Sequence, residues 1–216
     1  MASGKKYKNR RKKNISAKGV LIIVIIAAAF AAGMVTASKT ELFTKSSKTE
    51  ISSVLEEDWV TADLLTVNEY SRPGTALEEV NGIVVHYVAN PGSTAQENRD
   101  YFENLSSTGE TYASSHFIIG LDGEIIQCIP LDEIAYASND RNSDTIAIEC
   151  CHPGEDGQFT HSTYKSLVKL IQYLCDAYDL EDDDVLRHYD ITGKSCPLYY
   201  VEHEDAWEEL ISDVFN

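Results

Sequence analysis

Between residues 81 and 151 the chain sets short apolar runs between polar breaks. Asn81–Val88 (NGIVVHYV) is β-branched, opens on Asn-Gly and is followed by Pro91-Gly92, the pattern of a buried strand. Thr94 is placed to cap a helix over Ala95–Leu105. Ser115–Leu121 and Glu124–Pro130 flank Asp122-Gly123, a pair suited to the positive φ of a tight hairpin turn. Thr145–Cys151 (TIAIECC) predicts another strand, entered from the polar loop Ser138–Ser143. The period then changes: Thr160 caps an amphipathic helix whose apolar stripe is Tyr164, Leu167, Val168, Leu170, Ile171 and Leu174. An acidic loop at Glu181–Asp184 precedes a short last strand, Val185–His188, and a final helix from about Glu202 to Val214 carries Trp207, Leu210 and Ile211 on one side. Strands with interspersed helices predict a mixed α/β (α+β) fold, with one central mixed β-sheet flanked by helices.

Upstream of this the pattern is different. Residues 19–37 (GVLIIVIIAAAFAAGMVTA) carry no charge, and as a helix they would span about 28 Å, close to the hydrocarbon thickness of a bilayer. Eight basic residues and no acidic one precede residue 19, so the positive-inside rule puts segment 1–18 in the cytoplasm and everything after Ser38 outside. Val35-Thr36-Ala37 also suits a signal peptidase, so an uncleaved anchor and a cleaved signal peptide both fit, the length of the run favouring the anchor. Residues 38–56, rich in Ser, Thr and Lys, read as a tether, and 57–216 as the folded domain.

The charge balance sharpens this division. The whole chain has 18 basic and 35 acidic residues; with eight basic residues in the first segment, the remainder holds 10 against 35, a net −25. Such a body repels polyphosphates, which argues against nucleic-acid binding. Five cysteines (Cys128, Cys150, Cys151, Cys175 and Cys196) are an odd number for an exported chain, so at least one is unpaired or committed to something else. The other four are open to disulfides or to burial as reduced thiols.

The candidate chemistry lies in His86 within the first strand, His188 at the end of the last, and Cys196 eight residues later. Imidazole and thiolate are zinc ligands, and three protein donors with one open position describe a catalytic site. The stretches Gly82-Ile-Val-Val-His86-Tyr, Ser115-His-Phe-Ile-Ile-Gly-Leu-Asp-Gly123, Thr145-Ile-Ala-Ile-Glu149 and Arg187-His-Tyr-Asp-Ile-Thr-Gly-Lys-Ser-Cys-Pro197 stand in order. Together they resemble the type 2 N-acetylmuramoyl-L-alanine amidases, zinc enzymes related to amidase-type phage lysozymes and peptidoglycan recognition proteins. The resemblance covers about residues 80–200. It implies hydrolysis of the amide between N-acetylmuramic acid and L-alanine of peptidoglycan, with His86, His188 and Cys196 as Zn2+ ligands and Glu149 and Lys194 as catalytic groups. Where amidase-type phage lysozymes carry a tyrosine before the His-Phe-Ile-Ile strand, this chain has Ser115, which moves the acid–base role to Glu149; Tyr112 is near in sequence.

These readings make the chain a monomeric, membrane-tethered amidase domain outside the cytoplasm. The alternative is a non-catalytic peptidoglycan-binding module of the same fold, against which the retained Cys196 argues. A metal carrier or sensor using diffuse acidic charge ranks behind both. His116, His152, His161 and His203 read as structural or surface residues.

Overall fold

The computed structural model describes residues 51–216. The span read as transmembrane over 19–37, the basic segment 1–18 and the tether up to residue 50 lie outside the described residues. Among the described residues no helix is long and apolar enough to cross a membrane.

Among the described residues six strands form one sheet: β1 (Thr61–Ala62), β2 (Ile83–Tyr87), β3 (Phe117–Ile119), β4 (Ile125–Gln127), β5 (Ile146–Cys150) and β6 (Val185–Arg187). Their order is β1-β4-β3-β5-β2-β6. β3, β5, β2 and β6 run parallel, β4 returns antiparallel to β3, and β1 follows β4. The expected mixed sheet is therefore present, and the β3–β4 hairpin turns at Gly123, whose φ of 89° is the left-handed backbone that glycine supplies cheaply. Gly82 serves a close approach instead, since a Cβ there would stand 2.8 Å from the Asp184 carbonyl oxygen.

Among the described residues five α-helices accompany the sheet: α1 (Ala95–Thr108), α2 (His161–Tyr178), α3 (His188–Thr192), α4 (Leu198–Glu202) and α5 (Glu204–Phe215). Thr94 caps α1 in a reciprocal capping box with Glu97, and Thr160 caps α2 by accepting from the Thr163 amide. Alternation along the strands separates two cores. Ile83, Val85, Phe117, Ile119, Ile146, Ile148 and Cys150 face α2 and α5, where they meet Leu167, Leu170, Ile171, Leu174, Trp207 and Leu210. Ile118, Ile126 and Cys151 face α1 with its Phe102 and Leu105.

Two boundaries differ from expectation. Residues 51–56, read as tether, belong to the domain: Leu55 is 3% exposed, and its amide donates to the Gln127 side chain, which in turn donates to Ser53 O. His188 does not end β6 but begins α3, because Asp190 accepts from the Arg187 amide and starts a helical turn there. The last helix, expected from about Glu202 to Val214, is present as α5, and the short α4 precedes it across His203.

Candidate metal centre

The carboxyl ends of the parallel strands lie along one edge of the sheet, the usual place for a ligand in open α/β architectures. β2 brings His86 there and β5 brings Glu149, directly paired in register. β6 delivers His188 immediately after Arg187. Arg187 is 6% exposed and anchors this corner, with its guanidinium on Asp190, Glu204 and the Tyr200 carbonyl. The chain then leaves α3 at Gly193 (φ 79°) and doubles back, the Cys196 carbonyl accepting from the Tyr189 amide at 2.9 Å. That return places Cys196 beside His86.

His86, His188 and Cys196 are all buried, and one donor atom from each lies within 4.8 Å of the others. His86 Nδ1 stands 3.7 Å from Cys196 Sγ. Zn–S of about 2.3 Å and Zn–N of about 2.1 Å at a tetrahedral angle would set these atoms roughly 3.6 Å apart, so this edge of the group fits the metal. His188 Nδ1 is buried with no hydrogen-bond partner, an orphan that a cation would satisfy. The Nε2 atoms of both rings are engaged elsewhere, His86 with Ser138 Oγ at 3.3 Å and His188 with Asn139 Oδ1 at 3.2 Å.

The electrostatics also suit a cation. Burial, with the neighbouring His188 and Lys194 adding to it, holds the His86 imidazole well below its ordinary titration range; burial and Lys194 lower His188 likewise. Burial, reinforced by Glu149, pushes the Cys196 thiol up to about 12, against the opposing pull of the Tyr87 amide and Lys194. Burial pushes the Glu149 carboxyl up to about 8, with Lys194 opposing. A site of neutral imidazoles and protonated acids is short of positive charge, and a dication would reverse that balance.

The sequence-derived trio is therefore brought together. Glu149 stands beside His86, with Oε2 buried and unpartnered. Lys194 lies exposed on the turn before Cys196, close enough for its charge to act on all four groups. Ser115 is fully buried, and its hydroxyl bonds to the carbonyls of Phe117 and Ala147, a structural use. Tyr112 is turned to other partners: its hydroxyl donates to Glu69, and its ring meets Tyr70 and Tyr136. His116 is structural, its Nδ1 accepting from the Ala147 amide and its Nε2 donating to the Glu133 carbonyl. His152 donates from Nδ1 to the Gly154 carbonyl and packs on Tyr87. All five cysteines are free and buried. Ser138, Asn139 and Arg187 were not singled out by sequence reasoning for any role here. A polar loop has no periodicity to betray its partners, whereas the Arg-x2-Asp spacing of 187 and 190 is a local signal that could have been read.

Comparison with known proteins agrees with this geometry. Residues 76–198 match the family model described as N-acetylmuramoyl-L-alanine amidase. The N-acetylmuramoyl-L-alanine amidase CwlL of Bacillus licheniformis is 35% identical over 155 residues, which are 66% of this chain and 42% of the relative. BlyA of Bacillus subtilis (strain 168), of the same description, is 35% identical over 171 residues, 69% of this chain and 45% of that one. The chain thus spans less than half the length of these curated relatives. Among solved structures, the catalytic domain of XlyA superposes with a TM-score of 0.60 at 28% identity, covering 72% of this chain and 98% of that domain. With a match over more than half its length, the chain belongs to the N-acetylmuramoyl-L-alanine amidase family.

Proposed function

We propose that the chain is a zinc-dependent N-acetylmuramoyl-L-alanine amidase that hydrolyses the amide joining N-acetylmuramic acid to L-alanine in peptidoglycan. The observation that carries this reading is the convergence of His86, His188 and Cys196 donors within 4.8 Å, beside a buried carboxyl at Glu149. Zinc held by these donors would supply a Lewis acid with one open position, able to bring the pKa of water from about 15.7 toward roughly 7. Glu149, on the strand next to His86, accepts the proton of the attacking water and returns it to the alanine nitrogen as the amide breaks. The Lys194 ammonium faces the negative charge that develops on the carbonyl oxygen. Burial of the three donors keeps bulk water from competing with these interactions. A binding module without turnover is disfavoured by the complete donor set.

Full-length protein incubated with purified cell walls is expected to free L-alanine amino groups without creating new reducing sugar ends. Chelation should stop the release and zinc restore it. A zinc-loaded chain that leaves walls intact, or that cuts glycosidic bonds, overturns the reading.

We also propose that residues 19–37 span the membrane and hold a monomeric domain on the outer side. The uncharged run and the preceding cations support this. Tethering would raise the effective concentration at the wall, offsetting the repulsion between anionic wall polymers and an acidic body. Protease added to intact cells should remove the domain and spare the N-terminal segment; full protection would refute the orientation.

A further inference from the structure

We propose that the turn 138–142 is the positioning element of the metal centre, holding both histidines by Nε2 so that both Nδ1 atoms are left for the ion. This rests on the metal reading above and goes beyond it, because Ser138, Asn139 and Asn142 stand outside the donor group of His86, His188 and Cys196. Ser138 and Asn139 are consecutive, yet they serve ligands 102 positions apart in the chain, at 86 and 188. One short turn can do this because the two imidazoles are themselves adjacent, their centroids 4.7 Å apart.

The chemistry fixes the direction of the Asn139 bond and permits the matching direction at Ser138. An amide oxygen only accepts, so Asn139 Oδ1 requires the His188 proton on Nε2 and leaves Nδ1 with a lone pair. Ser138 Oγ, on a residue 1% exposed, can accept from His86 Nε2 or donate to it; accepting is the direction that leaves His86 Nδ1 a lone pair beside the Cys196 sulfur. Ligating histidines commonly depend on such partners to set the tautomer and the ring orientation. Here the two partners share a single backbone, so neither ring can be re-aimed without disturbing the other.

The turn itself is fixed from within. Asn142 Oδ1 accepts from the amides of Ala137 at 3.0 Å and Ser138 at 2.6 Å. Asn139 adopts φ 54°, a left-handed conformation that asparagine tolerates better than most side chains. Thr145, at the entrance to β5, donates to the Arg141 carbonyl at 2.7 Å and couples the turn to the strand that carries Glu149.

The test uses the full-length chain, with zinc alone as probe in competition against a chromogenic chelator. Asn139→Gly, which keeps the backbone conformation, and Ser138→Ala should each weaken zinc binding by about 10- to 100-fold. Asn142→Ala should do so by loosening the turn. Asn139→Asp and Asn142→Asp keep the acceptor oxygen and should stay near the wild type, which separates lost positioning from lost folding. In the metal-free chain, imidazole ¹⁵N shifts should report the Nε2–H tautomer at both His86 and His188, with mixed tautomers in Asn139→Gly and Ser138→Ala. Zinc affinity within twofold of wild type in all three acceptor-lacking variants, or Nδ1–H rings in the metal-free wild type, overturns the proposal. A wild type that takes up no zinc overturns the metal reading instead, and the tautomers still decide the role of the turn.

Discussion

Adjacent residues on β5 show how differently the two faces of the sheet are built. Ile148 points into the core beneath α2 and α5 and is fully buried in its apolar cluster. Glu149 points to the other face, where α1 covers β3 and β4 while β2 and β5 carry the His86–Glu149 pair. The first face is closed by close packing, so changes in volume are felt there as stability. The second keeps buried polar atoms, Glu149 Oε2 and His188 Nδ1, without hydrogen bonds. Such atoms destabilise the fold, and their presence in one corner marks where stability has been exchanged for chemistry.

Substitutions across that divide should therefore separate turnover from stability. The largest effect is expected at Glu149→Gln, with wall digestion falling by about 10²- to 10⁴-fold. The same variant should retain zinc in metal analysis and unfold at a higher temperature when metal-free, since a buried carboxyl is replaced by a neutral amide. Lys194→Gln should cost about 10²- to 10³-fold in turnover with the melting temperature unchanged. On the opposite face, Ile148→Ala should lower stability by about 2–5 kcal/mol in urea titrations, while the folded fraction keeps its rate.

Protonation sharpens the contrast further. His116 has both ring nitrogens satisfied in its neutral form, and burial lowers its pKa from 6.5 to about 4. The unfolded chain takes up that proton first as pH falls. Its contribution to stability is thus complete above about pH 6.5 and is lost progressively toward pH 4, amounting to roughly 3 kcal/mol. Urea midpoints measured across this window should drop steeply in the wild type and less steeply in His116→Gln. The smallest effect concerns the acidic surface: moderate salt should raise wall digestion, by no more than about tenfold, as repulsion is screened. A monotonic fall with salt would contradict it.

Much of this plan is written locally in the chain. The hairpin at Asp122-Gly123, the caps at Thr94 and Thr160, and the apolar stripe of α2 each depend on residues a few positions apart, and all were legible. So was the grouping of His86, His188 and Cys196, because His188 and Cys196 sit in one motif and His86 in a clear strand. What stayed hidden depends on distant partners. In Ile83–Tyr87 nearly every residue is apolar, so the face that His86 takes cannot be read from alternation. Leu55 resembles its polar neighbours until Gln127 and the core receive it. β1, two residues long, exists only through its pairing with β4. Ser138 and Asn139 look like ordinary loop residues because their partners come from β2 and α3.

The distribution of the free cysteines has a practical consequence. Cys175 is on the buried face of α2, while Cys128 and Cys151 lie in the core beneath α1, and all three are buried in the folded protein. Alkylating reagents can reach them only when the structure around them opens. Rates of thiol labelling under native conditions would therefore time the breathing of each layer separately, with reporters that the molecule already carries.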